Sequence, residues 1–199
     1  MEIKGELSSN ICSSSPVRLT VWCKSLLFHG DGYTVFDDSD GRIVFRVDNY
    51  APGRWKNKDM VLMGPKGHVY LTIRHCKKIL SFTESWKIYK GDRDTYSSIL
   101  LKEPLLRVTK DSGNLTCTAS MASGIDGSEK SGFRLSWSRC EEWSKIHTLA
   151  SDEQLVAEIN RKFSNSNKIL LGEDVLTLTV QPGMDQAIVM ALIMITKSI

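Results

Sequence analysis

The sequence predicts a mainly β protein in which an antiparallel sheet encloses one C-terminal helix. Three observations carry that prediction. Stretches of alternating apolar and polar residues recur about a dozen times between positions 17 and 180, the period of strands with one buried face. Glycine-containing joins such as Gly30-Asp-Gly32, Asp40-Gly41 and Lys66-Gly67 separate them, as hairpin turns require. The run from Ala187 to Ile195 is apolar without interruption, so a helix built from it has no face for water. A sheet that encloses such a helix either curls shut into a barrel or stacks as two layers with the helix wedged between them. Periodicity alone does not separate the two.

In chain order, the Ser-rich, polar residues 1–16 read as a loose tail closed by Pro16. Val17, Leu19 and Val21 then alternate with Arg18, Thr20 and Trp22 as a first strand. Tyr33 to Phe36 forms a second, and Asp40-Gly41 supplies positive-φ residues for the turn into Ile43, Phe45 and Val47. Strands follow at Asp59 to Met63 and at Val69, Leu71 and Ile73. After a basic corner at Lys77-Lys78 come Ile79 to Phe82, Trp86 to Tyr89 and Leu105 to Thr109, with an apolar patch at Ile99 to Leu101 packing down between the last two. Leu115 to Ala119, Phe133 to Trp137 and Trp143 to Thr148 continue the pattern, and the Gly- and Ser-rich Ser120 to Gly132 reads as a loop. Leu155 to Asn160 fits a strand or an amphipathic helix and is assigned as strand. Leu176, Leu178 and Val180 lead into the apolar run, whose start is marked by Pro182, Gly183 and Asp185 and whose end carries Lys197. A bilayer span needs about 20 apolar residues, and this run is much shorter, so protein is its expected surrounding.

At 199 residues and 41% hydrophobic the chain is expected to form one well-buried domain. Lys plus Arg number 26 against 23 for Asp plus Glu, a net charge of +3 that is too mild for wholesale nucleic-acid binding. Cys12, Cys23, Cys76, Cys117 and Cys140 are odd in number, widely spaced and free of any CxxC pair, which points to reduced thiols in the cytosol or nucleus. The charged N-terminus reads as neither a secretion signal nor a myristoylation site. No transmembrane span is expected.

Common catalytic signatures are absent: there is no phosphate-binding Gly-Lys loop, no Gly-x-Ser-x-Gly elbow and no His-Glu-x-x-His pair. His29, His68, His75 and His147 are scattered and read as surface or packing residues. Asp37-Asp38-Ser-Asp40-Gly41 fails as a calcium loop. With Gly41 at the sixth position, Phe36 and Val47 fall where carboxylates are needed. The expectation is therefore a non-enzyme with no catalytic residue, no cofactor and no metal.

The segments Val21-Trp-Cys-Lys-Ser-Leu-Leu-Phe-His-Gly-Asp-Gly-Tyr-Thr-Val-Phe-Asp37, Phe45-Arg-Val-Asp-Asn-Tyr50, Leu71-Thr-Ile-Arg74 and Gln181-Pro-Gly-Met-Asp-Gln-Ala187 resemble the plant LURP-one-related family, in the right order from Val17 to the C-terminus. The resemblance implies a fold similar to the tubby C-terminal domain and to phospholipid scramblases: a closed antiparallel barrel of about twelve strands around a central hydrophobic helix. It selects the barrel over the sandwich. The expected organisation is a flexible tail at 1–16 and one tubby-like barrel domain at 17–199, with its helix at about 183–197. For function it implies a binding or regulatory module linked to plant defence and tethered at membranes through phosphoinositides, with cytoplasmic, membrane-peripheral or nuclear location. A small-molecule-binding barrel or unrecognised enzyme is the alternative, as is a scaffold for unknown protein partners. The calcium-linked acidic segment of scramblases has no clear counterpart, only Glu173 and Asp174 standing near the terminal helix, so calcium-driven scrambling is not carried over.

One candidate surface follows from strand parity. If Val69, Leu71 and Ile73 point inward, with Trp86, Ile88, Leu106 and Val108, then Arg74, Lys87 and Arg107 point outward, with Lys77 and Lys78 at the adjoining turn. If these strands are neighbours, the result is a basic patch suited to an inositol phosphate headgroup or anionic membrane surface. The plainer reading, a solvated barrel exterior, carries more weight at this stage, because outward Lys and Arg are the default on barrels.

Overall fold

A computed structural model describes residues 12–25, 32–48, 59–77, 83–91, 103–112, 114–121, 132–138, 140–164 and 169–199, and among these the alternation becomes twelve strands followed by one helix. The strands are β1 (Val17–Trp22), β2 (Gly32–Asp37), β3 (Ile43–Asp48), β4 (Met60–Met63), β5 (Val69–Lys77) and β6 (Glu84–Lys90). They continue with β7 (Leu106–Lys110), β8 (Thr116–Met121), β9 (Gly132–Ser138), β10 (Trp143–Thr148), β11 (Leu155–Arg161) and β12 (Val175–Val180). The helix α1 (Gln186–Ser198) follows. The strands expected at Ile79 to Phe82, the patch at Ile99 to Leu101 and most of the Ser120 to Gly132 loop lie outside the described residues.

Every strand pairs antiparallel with its sequence neighbour, and β1 returns to pair with β12 from Val17↔Val180 to Trp22↔Val175, closing the barrel. Closure leaves no free sheet edge, which settles barrel against sandwich. Register shifts at Val35/Phe36, Leu62/Met63 and Ile146/His147 add an unpaired residue to one strand and bend the sheet locally. The last of these modifies the expected alternation in β11. His147 pairs with Leu155 and Ile146 with Ala157, so the extra residue Val156 turns inward beside Ala157 and both are buried.

Leu19, Val21, Val35, Phe45, Leu62, Ile73, Ile88, Leu106, Val108, Leu135, Ile146, Ile159 and Leu178 form the inner face and are buried. They pack on α1, where Val189 to Ile195 are all buried. A helix apolar all round is thus surrounded by sheet instead of lipid, and among the described residues no helix is long and apolar enough to cross a membrane. The helix begins later than the sequence suggests. Asp185 is its N-cap, not a first-turn residue, and its Oδ1 accepts from the amides of Ala187 (2.8 Å) and Ile188 (3.0 Å). Gly183 turns the chain at φ 76, and its amide donates to the Ser13 carbonyl at 2.8 Å, pinning the residues before β1 to the turn before α1. At the far end, Thr196 donates to the Ile193 carbonyl and its hydroxyl lies 3.0 Å from that of Ser144 on β10, so the polar groups buried there are satisfied.

One turn shows how local chemistry sets a strand join. In the β2–β3 turn Gly41 alone takes positive φ (71), while Asp40, expected to share that conformation, does not. The three carboxylates of this turn that suggested a calcium loop are each engaged by protein groups: Asp37 by Ser39, Asp40 by Arg42, and Asp38 by Thr20 and Lys162.

Candidate functional site

The outward cations of β5 to β7 line up by register. Ile73 pairs with Ile88 inside the barrel, which places Arg74 directly opposite Lys87 on the outer face, and Lys87 is in turn opposite Arg107. Directly opposed residues on antiparallel strands have Cβ atoms about 5 Å apart, so the three cations form one short row running across the strands. Lys87 is half-buried at its base and Arg107 is exposed. Like charges in opposed positions work against stability, so the row is not explained by the needs of the fold.

Its electrostatics are graded. Arg74 Nε lies 3.7 Å from Asp59 Oδ2, a carboxylate almost wholly covered, so this end of the row is partly neutralised. No ion pair among the described residues engages Lys87 or Arg107. Tyr89 shares their face two residues further along β6. Burial holds its phenol above the ordinary value, against the opposing pull of Arg74 and Arg107, so it stands beside the row as a neutral hydroxyl. Glu84, which approaches Lys110 (3.8 Å) and His75 (3.9 Å), has the opposite parity, on the inward side with Trp86, whose ring centroid lies 5.1 Å from that of His75, so this cluster is not part of the outer row.

Of the five residues expected in the patch, Arg74, Lys87 and Arg107 are brought together. Lys77 ends β5 opposite Glu84 and its side chain is not described, and Lys78 lies outside the described residues. Tyr89 and Asp59 were not anticipated. Tyr89 was legible from the same parity that selected Lys87. Asp59 was not, because its place beside Arg74 depends on how β4 registers against β5. The row suits a compact polyanion such as a phosphate-bearing headgroup: two cations without an ion pair among the described residues, a third shared with a carboxylate, and a phenol donor. Among the described residues no group of three His, Cys, Asp or Glu side chains is placed to hold a metal ion.

Comparison with known proteins adds the family context. The family model described as LURP-one-related matches residues 17–197. The chain is 34% identical over 183 residues to LURP-one-related 17 of Arabidopsis thaliana, covering 89% of this chain and 80% of that protein. To LURP-one-related 8 of the same plant it is 32% identical over 187 residues, covering 94% and 89%, and to LURP-one-related 3 it is 30% identical over 180 residues, covering 90% and 78%. An X-ray structure of a protein from Arabidopsis thaliana superposes with a TM-score of 0.64 at 20% identity, covering 94% of this chain and 93% of that one, a likeness of fold.

Proposed function

The chain belongs to the LURP-one-related family, and from that premise we propose that it is a non-enzymatic binding module that recognises phosphoinositide headgroups on the outer wall of its barrel. The observation that carries this reading is the in-register row Arg74, Lys87 and Arg107, with Lys87 and Arg107 free of ion pairs among the described residues. The interior is taken by α1, which supports a surface ligand over a small molecule held inside the barrel. Recruitment to an anionic membrane surface, with release when the headgroup is removed, is the regulatory step this arrangement serves. A role in plant defence belongs to the same reading.

The test is cosedimentation with phosphatidylcholine vesicles containing or lacking phosphatidylinositol bisphosphate. Wild-type protein binds the former, more weakly as salt rises, because exposed charges are screened beyond about 8 Å at physiological ionic strength. Lys87→Ala with Arg107→Ala costs on the order of 2 kcal/mol, roughly thirtyfold in affinity, and leaves Tm nearly unchanged. Equal binding by wild type and double variant contradicts the assignment.

A further inference from the structure

The cation row has a neighbour of different chemistry. Two residues further along the same strands, on the same outer face, Ser85 pairs with Thr109 and Thr109 with Thr118, in register across β6, β7 and β8. Threonine is an ordinary choice for an outer strand position, so its presence alone says little. What singles out this row is where its hydroxyl hydrogens go. Ser85 donates to the Cys76 carbonyl at 3.1 Å and Thr118 to the Asp111 carboxylate at 3.3 Å, and both acceptors are groups that do not donate in return. Each of these two hydroxyl oxygens therefore offers the outside only lone pairs. Between them the Thr109 hydroxyl is exposed and makes no hydrogen bond among the described residues.

Charge changes along the same direction. The cations Lys87 and Arg107 come first, then the neutral hydroxyls, and then the Asp111 carboxylate just beyond β7, which also accepts from Thr116 at 2.7 Å. Arg134, opposite Thr118 at the end of the hydroxyl row, is engaged by Glu153 at 2.8 Å and adds no open cation. A phosphate over this row faces lone pairs and a carboxylate, whereas a hydroxyl-bearing group donates to them. The wall thus sorts a ligand into two edges, with phosphates over Arg74, Lys87 and Arg107 and hydroxyls over Ser85, Thr109 and Thr118.

The spacing fits a ring. Neighbouring strands stand about 4.8 Å apart, which is the separation of equatorial oxygens on alternate carbons of a chair-form six-membered ring. The two rows lie two residues apart, about 7 Å, so a ring seated on the hydroxyls has its far substituents at the cations. A phosphorylated peptide side chain or a linear polyphosphate has no such second edge.

We propose that Ser85, Thr109 and Thr118 form a polyol seat, which reads ring hydroxyls and orients a cyclic polyol phosphate with its phosphates toward the cation row. The seat rests on the headgroup reading above. It supplies what the cations by themselves lack, a distinction between a phosphorylated ring and any other compact polyanion.

The experiment compares two soluble probes by amide chemical-shift titration at low salt. One is inositol 4,5-bisphosphate; the other is propane-1,2-diol bisphosphate, which carries two adjacent phosphates without the ring hydroxyls. Wild-type protein binds the first on the order of tenfold more tightly, the worth of one to two net hydrogen bonds. Thr109→Val keeps the shape and strand preference of the side chain, removes its hydroxyl, and lowers affinity for the inositol probe about fivefold with no change for the diol probe. Thr109→Ser restores the inositol affinity. Tm is unchanged in both variants, since the Thr109 hydroxyl bonds nothing in the fold among the described residues. Equal affinity of the wild type for the two probes overturns the seat while the cation row stands. An equal loss for both probes in Thr109→Val also overturns it. Binding of neither probe by the wild type overturns the seat together with the headgroup reading.

Discussion

Single side chains already show how this barrel ties distant strands together. Lys162, just after β11, reaches across β12 to the hydroxyl of Thr20 on β1 and the carboxylate of Asp38 after β2, and its side chain is only 15% exposed. The hydrogen bond from Lys162, with that from Thr20 and the nearby Arg18 charge, holds the Asp38 carboxyl below its ordinary value against the effect of burial. A folded-state pKa below the unfolded one means that the linked stability is present above the ordinary carboxylate range, near pH 4, and is lost as pH falls through the depressed folded value. Asp38→Asn is therefore expected to cost about 1 to 2 kcal/mol at pH 7, with the gap to wild type closing as pH falls below the ordinary carboxylate range, as denaturant titrations at neutral and acid pH can check. Cysteines give a second residue-scale prediction. Cys117 faces the core and burial pushes its thiol up to about 12, whereas Cys12 and Cys140 are exposed. Alkylation of native protein at pH 8 should label Cys12 and Cys140 first and reach Cys117 only on unfolding, with the order read by mass spectrometry.

At the scale of elements, α1 is the piece on which the inner faces of the strands depend. Leu192 is fully buried near its middle, so Leu192→Asp places a carboxylate where it has neither water nor a partner. Loss of the cooperative melting transition is expected, and wild-type melting in detergent-free buffer would show that the helix is not enclosed. Deleting residues 184–199 removes the packing partner of the whole inner face and should leave no cooperative fold, since that loss exceeds the roughly 5 to 15 kcal/mol that holds a domain together. This dependence was legible in the sequence, because an uninterrupted apolar run from Ala187 to Ile195 permits only an enclosed helix. The strands were legible for the same reason: Leu176, Leu178 and Val180 alternate with threonines in a way only a half-buried strand explains. Departures arose where local order gave way to tertiary register. Val156 turned inward because a bulge opposite Ile146 shifted the count by one, and the N-cap role of Asp185 became visible only once the helix start was located.

At the scale of the whole molecule, closure and function meet. The barrel shuts through β1 and β12, near the two ends of the matched region, so its last sheet contact joins residues as far apart as Val17 and Val180. Such long-range pairing predicts slow folding for a protein of this size, readable as a refolding phase in milliseconds to seconds by stopped-flow fluorescence. Closure also turns sequence parity into a surface. Arg74, Lys87 and Arg107 could be named as outward residues from alternation alone, but their alignment required the neighbour relations of β5, β6 and β7, which periodicity does not contain. The most direct test of the headgroup-binding claim is an amide chemical-shift map of the isotopically labelled protein titrated with soluble inositol trisphosphate. Saturable shifts centred on Arg74, Lys87, Tyr89 and Arg107, and abolished by Lys87→Ala with Arg107→Ala, are the predicted result; no saturable shift, or shifts centred elsewhere on the barrel, would contradict it.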